Sequence, residues 1–299
     1  MQAFKTLIGF ARLHTVVATT VQVITVFLIV VGWMTTPGAL TVVAVTLATC
    51  LALNLYVVGL NQLTDVAIDR VNKPWLPVAA GTLTQDKGRL LTFGAAGVSL
   101  LLAWLSGPFL LLTVALIMLI GSAYSLPPLR LKRFPVAAAL SIAIARGVIA
   151  NLGLALHYRQ VFGGDLPLLT LGMLGLFFFG FGLVIAIYKD IPDGEGDRMY
   201  QIETFTTRLG PRRALDMGRA VLTLCYALPI GLALAGLPRG DALFLLISHA
   251  LLIIVFWAMS MRVDLQQRRS VASFYMFLWG LFYLEFGVLS MYELTRTTI

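Results

Sequence analysis

Residues 90–126, LLTFGAAGVSLLLAWLSGPFLLLTVALIMLIGSAYSL, contain no charged side chain. Only Gly107-Pro108 separates the two apolar halves of this segment, and such a pair turns a chain and interrupts a helix. Each half approaches the length of roughly 20 residues that an α-helix needs to cross the hydrocarbon core of a bilayer. The segment therefore predicts a tight hairpin of two membrane-spanning helices.

Similar apolar segments recur along the chain. Of its 299 residues, 59% are hydrophobic and 12% are charged, whereas about a quarter of a soluble domain is charged. A water-soluble fold is excluded, because no soluble core hides this much apolar surface. We expect an all-α membrane protein, a single multi-pass domain over residues 1–299. Its nine transmembrane helices are predicted at 15–34, 38–60, 90–106, 109–126, 135–157, 166–188, 214–237, 242–262 and 271–293.

The basic residues predict the orientation of these helices. The formal net charge is +8, and Lys and Arg at helix ends facing anionic lipid explain it without a nucleic-acid partner. Seventeen of the 22 Lys and Arg residues fall in one set of alternate loops, and only Arg159, Arg239 and Arg296 in the other. We therefore expect the N-terminus in the cytoplasm and the C-terminus on the opposite side. The lack of a Ser- and Arg-rich transit segment before the first helix favours the plasma or thylakoid membrane of a prokaryote.

Two of the expected cytoplasmic loops, 61–89 and 189–213, are long and polar. The first begins with Asn61, Asp65 and Asp69, which share one face if the preceding helix continues to Pro74. Carboxylates in this arrangement repel each other unless a cation lies between them. Mg²⁺ is the natural candidate, because it takes oxygen ligands and bridges to phosphate oxygens.

The second loop contains YKDIPDGEGDR, residues 188–198, with a further acidic cluster. Asp193 and Asp197 repeat the four-residue spacing, and Asp190 precedes them by three residues. The Pro and Gly residues between them distort a helix, so we expect a bent helix end or an ordered loop.

Taken singly, either acidic motif is equally typical of a solvated helix surface. Together, in the two longest loops of so apolar a chain, they favour a cage of two Mg²⁺ ions around a diphosphate. The candidates for binding the diphosphate are Lys73, Arg130, Lys132, Lys189 and Arg208, with Lys73 and Lys189 ranked first beside the acidic motifs. The alternative for each is a role in topology alone.

Arg146 lies inside the fifth predicted helix, at a depth of about 16 Å. A charge at this depth requires a partner or a polar cavity. Arg146 and Asn151 therefore become candidates for binding an anionic acceptor, while the alternative is a structural pair with a carbonyl group or with Glu285. Tyr124 and Tyr188, near cytoplasmic helix ends, are candidates for lining a cavity that holds a carbocation.

At these residues the sequence resembles the UbiA superfamily of intramembrane prenyltransferases. NQLTDVAIDRVNKPWLP (61–77) and YKDIPDGEGDRMYQIETFTTRLG (188–210) match the two aspartate-rich motifs of that superfamily. YSLPPLRLKRF (124–134), ARGVIANLGLALHY (145–158) and ASFYMFLWGLFYLEF (272–286) resemble its homogentisate prenyltransferases, especially the cyanobacterial phytyltransferases of tocopherol synthesis. The resemblance extends over nearly the whole chain.

The resemblance implies a nine-helix fold around a central cavity. It also implies that Asp65 and Asp69, with Asn61, bind one Mg²⁺, and that the cluster of Asp190, Asp193 and Asp197 binds a second. The implied reaction ionises a prenyl diphosphate, such as phytyl diphosphate, and joins the prenyl group to homogentisate, which loses its carboxylate. We add the hypothesis that Arg146 and Asn151 orient that carboxylate.

Other functions remain open at this point. Chlorophyll synthase, homogentisate solanesyltransferase, and the 4-hydroxybenzoate and lipid-ether prenyltransferases share the aspartate motifs. The CDP-alcohol phosphotransferases also use membrane-associated acids, but Asp193-Gly194 lacks the Ala-Arg that their motif requires. An ion-coupled transporter would place its acids near the middle of the membrane.

Overall fold

The computed structural model describes residues 2–33, 37–200, 202–237 and 241–297, and every regular element within those ranges is helical. A 3₁₀ turn covers Leu131–Arg133, and a π-helical turn covers Ile144–Ile149. The α-helices are α1 Gln2–Ala11, α2 Leu13–Val30, α3 Ala39–Thr64, α4 Val66–Asn72, α5 Gln85–Ser106, α6 Pro108–Ser125, α7 Pro135–Ala143, α8 Ala150–Phe162, α9 Leu168–Lys189, α10 Gly194–Met199, α11 Phe205–Leu209, α12 Pro211–Leu234, α13 Ala242–Ser260 and α14 Arg268–Thr297.

Nine helical segments within the described ranges are long and apolar enough to cross a membrane, as the sequence predicted. The fifth of them, Pro135–Phe162, consists of α7, the π-helical turn and α8. Large apolar side chains are exposed along these segments, for example Leu105 with 67% and Leu224 with 70% of its surface accessible. Such surfaces are stable against lipid chains, so the protein is a multi-pass membrane protein.

Some helix ends differ from the prediction. Helix α3 continues to Thr64, four residues beyond the expected end, and α5 begins at Gln85 rather than at residue 90. The hydroxyl of Thr84 accepts a hydrogen bond from the N–H of Lys87 and caps the extra turn of α5. The expected loops 61–89 and 189–213 are therefore partly helical, because polar residues with local caps extend a helix beyond its apolar part.

Helix α9 lies at the centre of the packing, against α7, α12 and α14. Phe178 of α9 stacks on Phe286 of α14 with ring centroids 3.8 Å apart, and Phe181 meets Phe282 edge-on at 5.4 Å. These aromatic contacts tie α14, at the end of the chain, to the middle of the bundle.

The π-helical turn approaches α9 without an intervening side chain. A Cβ atom added at Gly147 would lie 2.3 Å from the backbone nitrogen of Phe179, which cannot move away as a side chain would. Small residues at such crossings allow two membrane helices to pack through backbone contacts. Gly147 therefore sets the distance between the fifth and sixth membrane segments.

We expect Gly147→Ala to destabilise the protein by about 1–3 kcal/mol, because the added methyl group forces the two backbones apart. The thermal midpoint for loss of monodisperse protein in detergent measures this effect. Gly172→Ala on α9 is the matched control, since a Cβ atom there meets nothing within 4 Å. Equal midpoints for the two variants would contradict this account of the crossing.

Candidate active site

The first acidic motif lies where α3 ends and α4 begins. The predicted common face required the preceding helix to continue to Pro74, but Asp65 leaves the helical conformation with φ −114° and ψ 15°. The N–H of Asp69 still donates to the carbonyl of Asp65 at 2.7 Å, so the helical spacing survives the break. As a result, Asn61, Asp65 and Asp69 all line one cleft.

The second motif begins where α9 ends at Lys189. The chain then turns through residues 190–193 and re-enters a short helix, α10, at Gly194. This is the bent helix end that the sequence predicted. The bend directs Asp190, Asp193 and Asp197 toward the same cleft as the first motif.

Asn72, for which we predicted no role, joins the two motifs. Its side-chain oxygen accepts from the N–H of Gly196 at 3.0 Å, and its amide nitrogen donates to Asp197 Oδ1 at 3.4 Å. A Cβ atom at position 196 would lie 2.3 Å from the Asn72 oxygen, so this contact requires glycine. Asn72 lies three residues after Asp69 on α4, and this helical spacing was the signal that could have identified it.

The resulting cleft has a volume of about 80 Å³ and combines acidic and basic side chains. The charged and polar residues that line it are Arg12, Asn61, Asp65, Asp69, Asn72, Lys73, Tyr124, Lys132, Lys189, Asp190, Asp193, Asp197, Glu203 and Thr204. All five predicted aspartates are therefore brought together, although they come from segments more than 100 residues apart.

Basic side chains contact the carboxylates directly. Lys73 forms an ion pair with Asp193, and Lys132 Nζ lies 2.5 Å from Asp65 Oδ1. Arg130 approaches Asp65 at 3.4 Å. Lys73 and Lys132 also line the cleft, so they lie beside any anion that enters it.

Lys189 is held at the wall of the cleft by two contacts. Its ammonium group lies 3.6 Å from Asp190 and donates to the Tyr124 hydroxyl at 2.6 Å. Tyr124 thus lines the acidic cleft, where its contact orients a lysine.

Burial makes this collection of carboxylates electrostatically unfavourable. It raises the pKa of Asp69 to about 6 and that of Asp190 to about 6. The pKa of Asp197 rises to about 7, through burial first and then through repulsion from Asp190 and Asp193. At neutral pH the cleft therefore gains stability from a cation that neutralises these groups.

The donor set fits Mg²⁺, which prefers carboxylate oxygens. Oδ2 of Asp69 is buried and has no hydrogen-bond partner, so it is free to bind a cation. Within the described residues, no three acidic, His or Cys side chains lie close enough to enclose an ion by themselves. One or two carboxylates suffice for each Mg²⁺, since this ion keeps several waters and takes phosphate oxygens from its substrate.

Two predicted site residues lie elsewhere. The Tyr188 hydroxyl donates to the carbonyl of Leu215 at 2.6 Å, so this side chain is directed at α12 rather than the cleft. Arg208 is exposed and forms an ion pair with Glu203. Arg208 lies near the end of the second motif, on α11, where its side chain extends into solvent.

Arg146 and Asn151 lie apart from the acidic cleft, in the interior of the membrane segments. The Asn151 side chain accepts from Gln22 Nε2 at 2.6 Å and donates to the carbonyl of Gly147 at 2.8 Å, so both of its polar atoms have partners within the protein. The expected alternative of an Arg146–Glu285 pair is wrong, because Glu285 contacts His249 Nε2 at 2.9 Å instead.

Arg12 is a further cleft residue that sequence reasoning missed. It lies at the junction of α1 and α2 with φ 53°, in the left-handed region, and this bend brings it to the cleft. No motif marks Arg12, because a basic residue before the first membrane helix is typical of any cytoplasmic N-terminus.

Over most of its length the chain matches a class of membrane-embedded transferases. Residues 19–281 match the UbiA prenyltransferase family. The chain belongs to this family, and the predicted resemblance is confirmed.

Individual relatives agree with that assignment. The homogentisate phytyltransferase of Synechocystis sp. is 43% identical, over 93% of this chain and 92% of the relative. Homogentisate phytyltransferase 1 of Arabidopsis thaliana is 34% identical, over 94% of this chain and 73% of the relative. The structure of a UbiA homologue from Archaeoglobus fulgidus, bound to DMAPP and Mg²⁺, aligns with a TM-score of 0.67 at 16% identity, over 95% of this chain and 99% of that one. The predicted fold is therefore confirmed.

We expect Asp69→Asn to abolish metal-dependent activity without loss of stability. Asp69 is 5% exposed, and burial raises its pKa because it disfavours the charged form. Removing the charge therefore removes an unfavourable contribution to the free energy of folding. Activity and the thermal midpoint in detergent are measured on the same preparation. Asp86→Asn is the control, because Asp86 is exposed and its ion pair is with the exposed Arg89. A large drop in the midpoint of Asp69→Asn would instead indicate a structural role for this carboxylate.

Proposed function

We propose that the protein transfers a phytyl group from phytyl diphosphate to homogentisate in an Mg²⁺-dependent reaction, with loss of carbon dioxide, as a step of tocopherol synthesis. The single observation that carries the proposal is the cleft in which two acidic clusters and their lysines meet, joined by Asn72. The similarity to homogentisate phytyltransferases along nearly the whole chain supports the choice of acceptor.

On the donor side, the proposal assigns two Mg²⁺ ions to the two motifs. Asp65 and Asp69, with Asn61, would hold one ion, and the cluster of Asp190, Asp193 and Asp197 would supply the carboxylates for the other, with waters and phosphate oxygens completing the ligands of each. Bound Mg²⁺ supplies Lewis acidity that stabilises negative charge on the diphosphate. Lys73, Lys132 and Arg130 already contact these carboxylates, so they are within reach of the leaving group and neutralise its charge further.

The chemistry is a substitution at the allylic carbon of the donor. The C–O bond breaks and its electron pair leaves with the diphosphate. A π-electron pair of the homogentisate ring forms the new C–C bond. The ring carbon then loses its proton, the bond between the side-chain CH₂ and the carboxylate breaks to release carbon dioxide, and the CH₂ carbon takes up one proton. Proton loss and gain are equal, so homogentisate monoanion and prenyl diphosphate give prenylated methylquinol, diphosphate and carbon dioxide.

The membrane interior protects this reaction from water. An allylic cation is quenched by water, and the apolar segments below the cleft exclude it. The acidic cleft lies where the polar and apolar parts of the helices meet, so a diphosphate binds in the polar part while its prenyl chain remains among apolar side chains.

The proposal is tested by product formation in nanodiscs with Mg²⁺, homogentisate and phytyl diphosphate. We expect a methyl-phytylquinol that disappears with EDTA and returns with added Mg²⁺. Asp65→Ala is expected to reduce turnover by at least about a hundredfold, because transition-state charge is no longer compensated. Asp86→Ala, at an exposed position, should leave turnover unchanged.

Parallel reactions with 4-hydroxybenzoate, chlorophyllide, and geranylgeranyl or solanesyl diphosphate distinguish the related activities. Turnover with another acceptor alone would retain the metal chemistry and overturn the assignment of homogentisate. Failure of every donor and acceptor pair would favour transport over catalysis.

We also propose that the acidic cleft faces the cytoplasm, as the distribution of Lys and Arg predicts. Lys87 and Arg159 are both exposed. Lys87 lies near the first residue of the segment Gln85–Ser106, and Arg159 lies near the last residue of the segment Pro135–Phe162. In intact cells, a membrane-impermeant maleimide should label Arg159→Cys, whereas Lys87→Cys should be labelled only after permeabilisation. The parent protein, whose Cys225 is buried and whose Cys50 is half-buried, provides the background. The reverse labelling pattern would invert the proposed orientation.

A further inference from the structure

The π-helical turn Ile144–Ile149 interrupts the fifth membrane segment and carries Arg146. Wider turns of this kind are rare, and they leave backbone groups of a helix without their usual partners. In a membrane such groups need other donors. The turn therefore persists only if neighbouring side chains hold it.

Gln22 on α2 supplies the missing donors. Its side-chain amide nitrogen donates to the carbonyl oxygen of Arg146 at 3.0 Å and to the side-chain oxygen of Asn151 at 2.6 Å. Asn151 in turn donates to the carbonyl of Gly147 at 2.8 Å. Gln22 and Asn151 are both buried, and together they fix the turn from which the Arg146 side chain extends.

The guanidinium group of Arg146 packs between aromatic rings rather than against an acid. Its Cζ atom lies 5.7 Å from the ring centroids of both Trp279 and Phe282 on α14. Across the described ranges no carboxylate forms an ion pair with it, and its Nη1 atom is buried without a hydrogen-bond acceptor. Glu285, the acid on the same face of α14, is engaged with His249. A buried cation with aromatic contacts alone lacks an anion.

A second buried donor lies beside Arg146. Nε1 of Trp279 has no hydrogen bond of good geometry, although the Tyr275 side chain interacts with the indole. His14 packs on the other part of the same ring with centroids 4.9 Å apart. Two buried donors on neighbouring side chains, neither of which makes a hydrogen bond of good geometry, match a ligand group with two acceptor oxygens, such as a carboxylate.

Tyr275 connects this place to the acidic cleft. Its ring meets Trp279 edge-on, with centroids 6.3 Å apart, and its hydroxyl is within electrostatic range of Lys189 and Asp193. A small aromatic acid bound at Arg146 would lie on the Trp279 side of Tyr275, with the groups of the acidic cleft on its other side. Its ring would rest against Trp279 and Phe282, which already form an aromatic surface.

We propose that Arg146 and the indole N–H of Trp279 form the subsite for the carboxylate of the aromatic acceptor, with Gln22 as the residue that positions Arg146 through the π-helical turn. The inference rests on the proposed function, because it assigns the acceptor side of the same reaction. It also explains why a charge is retained so deep in the membrane.

The test is the binding of acceptors to the full protein in nanodiscs, by calorimetry, without donor. Arg146→Met removes the guanidinium but keeps an unbranched side chain, and we expect its Kd for homogentisate to rise at least about tenfold. The Kd for methylhydroquinone, which has the same ring without the carboxylate, should change less than twofold. Arg146→Lys should recover part of the affinity, since it restores the charge but not the fork of donors.

Two further variants separate positioning from folding. Trp279→Phe keeps an aromatic ring and loses the N–H. It should therefore weaken the binding of homogentisate and leave the binding of methylhydroquinone unchanged. Gln22→Leu should raise the KM for homogentisate with little change in the KM for phytyl diphosphate. Arg159→Met, an exposed arginine on the same membrane segment, is the control and should bind like the parent protein.

Homogentisate binding within twofold of the parent in Arg146→Met would overturn the subsite, as would an equal loss of affinity for homogentisate and methylhydroquinone. If the parent transfers nothing to homogentisate, the proposed function fails, but the same titration with 4-hydroxybenzoate still decides whether Arg146 binds an aromatic carboxylate. Binding of neither acid by the parent would overturn both.

Discussion

In a protein that is mostly immersed in lipid, a buried charge is costly unless a counter-ion lies beside it, and this constraint determines the arrangement of the acidic cleft. Five aspartates from two distant segments are gathered at one end of the membrane helices, where burial raises the pKa of Asp69, Asp190 and Asp197. Lys73 and Lys132 neutralise part of this charge through direct ion pairs. What remains is an attraction for divalent cations, so the unfavourable burial of the carboxylates is itself the basis of metal binding.

Local breaks in the helices make this gathering possible. A straight helix would carry its polar residues past the end of the bundle and into solvent. Helix α3 changes direction at Asp65 and α9 ends at Lys189, so the chain after each break returns toward the other. Asn72 then closes the junction by bonding to both the backbone and an aspartate of the second motif. The contact is close enough that position 196 accepts no side chain.

The molecule separates two kinds of electrostatic environment. The cleft at the end of the helices is rich in paired acids and bases, whereas Arg146 lies among aromatic rings and forms no ion pair with a carboxylate of the described residues. An electrophile with a polyanionic leaving group and an acceptor with a single negative charge need these two different surroundings. Tyr275 and Trp279 of α14 lie between them, so α14 contributes to both. The aromatic packing of α14 on α9 fixes that position.

The sequence by itself determined the nine membrane segments, the hairpin at Gly107-Pro108 and the five aspartates, because hydrophobic length and acidic spacing are local properties of a chain. Tertiary structure decided where neighbouring side chains point. Adjacent helical residues differ by about 100° in direction, so Lys189 faces the cleft while Tyr188 faces α12. Tertiary structure alone also joined Asn72 to Gly196, and Gln22 to Arg146, since a hydrogen bond across more than 100 residues depends on how the helices pack and leaves no pattern in either segment.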